Sequence, residues 1–271
     1  MPELPEVETI RRGIEPWLVG RRIEGLTIRD ARLRWPVPRT LPARLRGTAI
    51  RAVGRRAKYL LITTDAGTLI LHLGMSGSLR VLPAAAPPLA HDHFDLVLDS
   101  GRCLRFNDPR RFGCLLFTTS DPLRHRLLAK LAVEPLSGEF DSEGLWRRAR
   151  GRRVSIKAFI MNSGIVAGVG NIYANEALFR AGIRPGLAAG RVSRARMSRL
   201  VGAIREVLTE AIGVGGTTLR DYVDPAGMPG YFRQRLFVYE RAGQPCRKCR
   251  TTIRQYVQGQ RSTYWCPRCQ R

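Results

Sequence analysis

The sequence predicts an α+β protein in three parts. Its N-terminal half carries short alternating strands, its middle carries helical spacing, and its end carries two cysteine pairs spaced for a zinc-bearing hairpin. We place the divisions at 1–131, 132–235 and 236–271.

The chain opens MPELPEVE. Pro5 suits the first turn of a helix, Glu6 and Glu8 suit its positive end, and Val7, Ile10, Ile14 and Trp17 recur at the spacing of one inward face. A helix from Pro5 would tie down a terminus that otherwise frays. Those residues serve equally as an ordinary helix start. If Met1 is removed, however, Pro2 becomes a free secondary amine. An α-amino group titrates at about 7.7–8.0, so it is partly unprotonated near neutrality and can attack an electrophilic carbon. Glu3 is placed to move protons for it.

From about 21 to 119, the segments LLITTD, GTLILHLG, FDLVLDSG, RCLRF and GCLLFTT read as strands joined by Gly, Asp and Pro turns. An antiparallel sandwich or barrel capped by the first helix follows. Residues 82–91, rich in Pro and Ala, form an exposed loop between two strands. Lys58 heads an apolar strand. Met75 lies between two glycines on one turn, and Arg110, Arg111 and Phe112 lie on another. Such turns are often packing features, yet bulky tips on a basic domain also suit wedging into a stack of bases.

After Pro135 the pattern turns helical, over 143–150, 153–162 and 193–212. Between them Asn171 suits an N-cap, Ile172 to Phe179 an apolar face, and Gly182 a helix end. The GVGN turn before Asn171 offers either a phosphate site at a helix N-terminus or a tight joint. Residues 213–230 hold five glycines and read either as a linker or as a lid.

At the end, Cys246, Cys249, Cys266 and Cys269 form C-x2-C-x16-C-x2-C, a four-thiolate pattern for one structural Zn2+. Cys103 and Cys114 lie in strand-like segments, so a disulfide framework is not expected. Arg261 falls at the tip of the final hairpin, where an arginine commonly meets a phosphate.

The formal charge is +24 over 271 residues, with 42 arginines and four lysines. That balance points to a polyanion, nucleic acid first, and predicts binding that weakens steeply with salt. A lysine retained in so arginine-biased a chain is a candidate for chemistry that needs a compact amine. Apolar runs fall short of the roughly 18 residues a membrane span needs, and the acidic start is unlike a secretory signal, so a cytoplasmic protein is expected.

Taken in order, MPELPEVET, RRAKYLL, HLGMSGSL, HDHFDLV, DPRRFG, IKAFIM, VAGVGNIYANEALFRAGIRP, GGTTLRDY and the cysteine module with QRSTYWCPRCQ resemble the bacterial formamidopyrimidine-DNA glycosylases over essentially the whole chain. The resemblance implies an N-terminal β-sandwich, a helix-two-turn-helix domain and a zinc finger. It implies a monomeric base-excision repair enzyme, needing no protein partner, that acts on damaged double-stranded DNA. Such an enzyme removes oxidised purines and nicks the strand by β,δ-elimination.

By the same resemblance Pro2 is the Schiff-base nucleophile, Glu3 the proton donor and acceptor, and Glu6 a supporting carboxylate. Lys58 assists the first elimination and Arg261 the second. Met75, Arg110 and Phe112 fill the hole left by the flipped nucleotide, while His91, Arg152, Lys157 and Asn171 grip the DNA backbone. Two positions depart from the family pattern: Asn162 replaces an aspartate that helped position its neighbours, and Glu240 brings an acid to the entry of the zinc module, weakening one DNA contact.

Two alternatives stand beside this reading. One is the sister glycosylase for oxidised pyrimidines, endonuclease VIII, against which Leu4 and the intact DPRRFG turn argue. The other is a non-catalytic zinc-containing DNA-binding protein, which leaves Pro2 and Glu3 without a role.

Overall fold

The computed structural model describes residues 2–216 and 235–271. They form two compact units, 2–129 with 214–216, and 130–213 with 235–271.

In the first unit α1 (Leu4–Leu18) begins one residue before the predicted Pro5. Glu3 caps it, donating its backbone N–H to Glu6 Oε2 at 2.9 Å. Val7, Ile10 and Ile14 are buried as predicted, but Trp17 is 44% exposed and carries the Arg102 guanidinium over its ring at 4.4 Å. Leu18, four residues after Ile14, takes the inward place instead.

Eight strands follow: β1 (Ile23–Ile28), β2 (Ile50–Arg56), β3 (Tyr59–Thr64), β4 (Gly67–His72), β5 (Ser78–Pro83), β6 (Asp92–Leu98), β7 (Arg102–Asn107) and β8 (Cys114–Thr118), with the short α2 (Leu41–Leu45) between β1 and β2. They make two four-stranded antiparallel sheets, in the orders β1-β6-β7-β5 and β2-β3-β4-β8. Leu60, Ile62 and Leu71 of one sheet and Leu79, Leu96 and Phe106 of the other share a single core with α1. This is a β-sandwich capped by the first helix. At about 25 cal/mol per Å2 of apolar surface, its sealing is the main driving force for this unit.

β6 and β7 are buried on both faces, which simple alternation does not anticipate. The reason is polar. Arg105, 1% exposed, meets Asp95 through two parallel bonds of 2.8 Å and also donates to the carbonyls of Ala86 and Pro87. The predicted loop thus shows its side chains to solvent, Leu89 at 62%, while Arg105 pins part of its backbone over the sheet.

The second unit contains α3 (Ser142–Ala149), α4 (Ile156–Met161), α5 (Asn171–Arg180), α6 (Arg194–Gly213) and the hairpin of β9 (Arg254–Gln258) and β10 (Arg261–Trp265). Residues 172–179 of α5 are all buried. Phe179 packs with Val238, Ile253 and Tyr264, so the hairpin module rests on α5. Leu200, Ile204, Val207, Leu208 and Ala211 of α6 face inward as their spacing predicts. Gly182, with φ +68°, lies just beyond the end of α5. Among the described residues no helix is long and apolar enough to cross a membrane.

Candidate functional site

At the start of the first unit Pro2, Glu3 and Glu6 are all buried. The Glu3–Glu6 bond fixes the chain one residue after Pro2, and with it the direction of the terminus. Gly216 closes on the same carboxylate. Its φ is +79°, and a Cβ there would fall 3.0 Å from Glu6 Oε1 and 3.2 Å from Glu6 Cγ, so a side chain at 216 would push against Glu6.

Two residues further along α1, Glu8 accepts from Arg11, Arg12 and Arg55, and these bonds hold its carboxyl below the usual range against the effect of burial. Arg55 also donates to the carbonyl of Ala57 at 2.8 Å. Ala57 and Lys58 make the two-residue turn between β2 and β3, so this bridge ties the Lys58 turn to α1.

Two further turns are locked together by Asp108, which is fully buried. Its carboxylate accepts from Ser76 Oγ at 2.8 Å, the Gly113 N–H at 2.8 Å and the Arg110 N–H at 3.3 Å. Its backbone N–H donates to His91 and its carbonyl accepts from Arg111. His91, Met75, Arg110 and Phe112 are thereby gathered around one acid. Met75 and Phe112 are 39% and 44% exposed, an unusual place for large apolar side chains unless a partner covers them. Where the turns cross, a Cβ on Gly74 would lie 2.5 Å from the Phe112–Gly113 backbone, so the approach needs glycine.

Between the turns opens a groove of about 580 Å3 lined by Arg34, His72, Gly74, Met75, Arg111 and Phe112. His72 Nδ1 accepts the Gly74 N–H at 2.9 Å and its ring packs on Tyr59. Burial, with Lys58 and Arg34 nearby, lowers its pKa to about 4, so the ring is neutral. Its strand partner Cys114 is pushed up to about 11 by burial, an inert thiol.

In the second unit Arg261 is exposed and opens β10, after the turn Gly259–Gln260 whose two residues both have positive φ. Its neighbour is held from the helices. Lys157 Nζ donates to the Ser262 carbonyl at 2.9 Å and to Thr263 Oγ1 at 2.7 Å, and Asn171 Nδ2 donates to the same carbonyl at 3.0 Å. Asn171 is therefore the first residue of α5, not its cap. The cap is Gly170.

A cavity of about 210 Å3 beside Arg261 includes Lys157 and Asn162 in its wall. Asn162 Oδ1 accepts the Gly164 N–H at 2.9 Å and so shapes the turn after α4. Arg152 stands apart on the exposed loop before α4, where its carbonyl accepts from Gly190. Glu240 is exposed with φ +56°.

The four sulfurs of Cys246, Cys249, Cys266 and Cys269 lie within 4.8 Å of one another, with pairs at 3.9 and 3.4 Å. A tetrahedral zinc with bonds of about 2.3 Å has sulfur–sulfur edges of about 3.8 Å, so the set fits one zinc ion.

Several residues that hold the site escape sequence reasoning. Glu176 is fully buried and accepts the N–H groups of Phe237, Val238 and Tyr239, each at 2.9 Å. Burial pushes its carboxyl up, against those three donors. Asn175 Oδ1 accepts from Tyr264 N–H at 2.8 Å. The only signal for either was a polar residue inside an apolar helix run. Asp108 had a better one, as the acid that opens the DPRRFG turn. The glycine-rich segment continues into 217–230, which lies outside the described residues.

Comparison with known proteins matches three family models along the chain: the formamidopyrimidine-DNA glycosylase N-terminal domain over residues 1–115, the H2TH domain of the same glycosylases over 131–223, and the zinc finger found in FPG and IleRS over 243–271. The formamidopyrimidine-DNA glycosylase of Alkalilimnicola ehrlichii is 62% identical over the full length of both chains, and that of Syntrophotalea carbinolica is 59% identical over the full length of both. Among solved structures, the MutM (Fpg) protein of Thermus thermophilus matches with a TM-score of 0.89 at 42% identity, covering 99% of this chain and 98% of that one. The Lactococcus lactis FPG (MutM) protein, in complex with a Fapy-dG containing DNA, matches with a TM-score of 0.92 at 31% identity, covering 99% of this chain and 100% of that one.

Proposed function

The chain belongs to the formamidopyrimidine-DNA glycosylase family and is a base-excision DNA glycosylase with abasic-site lyase activity, and on that premise we propose that Pro2 is its nucleophile. The observation that carries this assignment is the buried N-terminus, fixed by the bond from Glu3 N–H to Glu6.

With Met1 removed, the Pro2 nitrogen attacks C1′ of the damaged nucleotide. The bond from C1′ to the base breaks, and Glu3 supplies the proton that lets the sugar ring open. The product is a cationic imine between Pro2 and C1′. The imine acidifies C2′, whose proton is lost as the C3′–O bond breaks. A second proton loss at C4′ breaks the C5′–O bond, and both phosphates leave. Lys58 assists the first elimination. Arg261 assists the second by meeting the departing phosphate, and Lys157 and Asn171 serve the same DNA contact by holding the adjoining Ser262 carbonyl. Glu6 keeps Glu3 in place.

The substrate is an oxidised purine in double-stranded DNA, 8-oxoguanine or a formamidopyrimidine. Its target carbon is out of reach inside the duplex, so the nucleotide is flipped out. Unstacking costs a few kcal/mol. Met75, Arg110 and Phe112 fill the gap, His91 and Arg152 grip the backbone, and Cys246, Cys249, Cys266 and Cys269 hold one zinc that stabilises the hairpin without entering the chemistry. The division at 1–131, 132–235 and 236–271 then separates the nucleophile, the helical DNA grip and the zinc finger. The enzyme works as a monomer in the bacterial cytoplasm.

The test is borohydride trapping on a duplex with one 8-oxoguanine opposite cytosine. The expected result is a covalent adduct on the peptide beginning at Pro2. Pro2→Gly, which leaves a mobile primary amine in place of the ring nitrogen, should lose most of the adduct and of the cleavage while duplex affinity stays within about twofold, less than 0.5 kcal/mol. An adduct on a lysine, or parallel loss of binding and cleavage in Pro2→Gly, would overturn the assignment. Trapping only on an oxidised-thymine duplex would overturn the purine preference.

A further inference from the structure

Phe112 sits between two residues that the segment after β1 holds from outside the turn. On one side, Arg34 N–H donates to the Gly113 carbonyl at 3.0 Å. On the other, the Arg111 guanidinium reaches Asp30 Oδ2 at 2.8 Å. Asp30 is itself fixed. Its N–H and that of Arg29 donate to the His93 carbonyl, and Arg32 contributes its backbone N–H and two guanidinium nitrogens to the Asp30 carboxylate at 2.9–3.0 Å. His93 Nε2 in turn meets the Asp108 carbonyl at 2.8 Å, the carbonyl that also accepts Arg111 N–H. The circuit Asp30–His93–Asp108–Arg111 closes on itself.

Arg111 needs such a restraint. Its φ of +58° lies in the left-handed region, which is unfavourable for a side-chain-bearing residue and persists where surroundings over-determine it. A relaxed Arg111 would turn Phe112, the next residue, away from the groove it shares with Met75. The Arg111 side chain also lines that groove, and Asp30 holds its cationic end.

We propose that Asp30 is a positioning residue for duplex lesions: by holding the Arg111 side chain it keeps the left-handed turn that aims Phe112 at the gap left by the flipped nucleotide. The proposal rests on Phe112 acting as a wedge. Asp30 and Arg111 are 20% and 41% exposed, and ion pairs of that kind add little to global stability. Its effect therefore falls on one class of substrate and not on the fold.

Asp30→Ala and Asp30→Asn should each lower kcat/KM for excision of 8-oxoguanine from duplex by about tenfold. Cleavage of an abasic site in single-stranded DNA, which needs no flipping, should stay within about twofold, and Tm should be unchanged. Arg111→Ala should behave alike, and the double variant Asp30→Ala/Arg111→Ala should be no worse than either, since both break one interaction. Equal loss on both substrates, or additive losses in the double variant, would overturn the proposal. Phe112→Ala separates the two layers. If it leaves duplex excision unchanged, the wedge reading fails. If it slows excision while both Asp30 variants do not, the wedge stands and the role of Asp30 falls.

Discussion

The crossing turns of the sandwich and the hairpin of the zinc module solve the same problem in different ways. Each must hold an exposed turn in one conformation, and each uses buried or half-buried polar side chains that capture backbone groups. In the sandwich the captor belongs to the turn itself: Asp108 bonds residues from 76 to 113, most of them within five positions. In the zinc module the captors lie on helices far away in sequence, with Lys157 and Asn171 on Ser262, Asn175 on Tyr264, and Glu176 on residues 237–239. A local clamp forms with its turn. A remote clamp requires the hairpin to be present and folded first, and the hairpin has little apolar area of its own beyond the cluster around Phe179. Zinc supplies what is missing.

Removing zinc should therefore have the largest effect. Chelation, or Cys246→Ser, should unfold the hairpin, because the binding free energy of a structural zinc is folding free energy, and duplex cleavage should fall by about two orders of magnitude or more. The change should appear in metal content and in the nicking assay together. Retained cleavage in metal-free protein would mean that the helix captors suffice without the ion.

Glu176→Gln asks the milder question. The amide keeps one acceptor oxygen but turns an NH2 toward a backbone donor, leaving a buried N–H without a partner at a cost of about 2–3 kcal/mol. Denaturant midpoints should show the loss. An unshifted midpoint would show that the three N–H groups of 237–239 find other acceptors.

The same contrast explains what the sequence revealed. The strands, α6, the cysteine set and the turn around Asp108 are written locally, in period, spacing and turn chemistry, and they were legible. Lys157 was visible as a retained lysine, but nothing near it in sequence said that its ammonium would meet a hairpin about a hundred residues later. Asn171 looked like a cap because Asn before an apolar run usually is one. Its side chain bonds Ser262 instead, and the cap falls to Gly170. Trp17 fitted the helical period but gave way to Leu18, since an indole can rest half outside the core under an arginine and a leucine gains nothing there. Arg105 was hidden for a similar reason: its strand read as apolar, yet the sheet's second face is closed by an arginine pinning a loop.

The smallest effect concerns the Met75 turn. His72 accepts the Gly74 N–H through Nδ1, which requires a neutral ring on that side, and its pKa in the fold is about 4 against an ordinary 6.5. A depressed pKa means that the unfolded chain takes up the proton first. The contribution of His72 is therefore complete above pH 6.5 and is lost as pH falls toward 4, on the order of 1–2 kcal/mol between pH 7 and pH 5. In His72→Asn the side-chain amide offers an oxygen to the same N–H and does not titrate. Stability of the native chain should thus fall more steeply than that of His72→Asn from pH 7 to 5, the two curves running parallel above 7. Parallel curves throughout would mean that the ring escapes the groove and protonates in water, and the turn would then owe its shape to Asp108 and Gly74 alone.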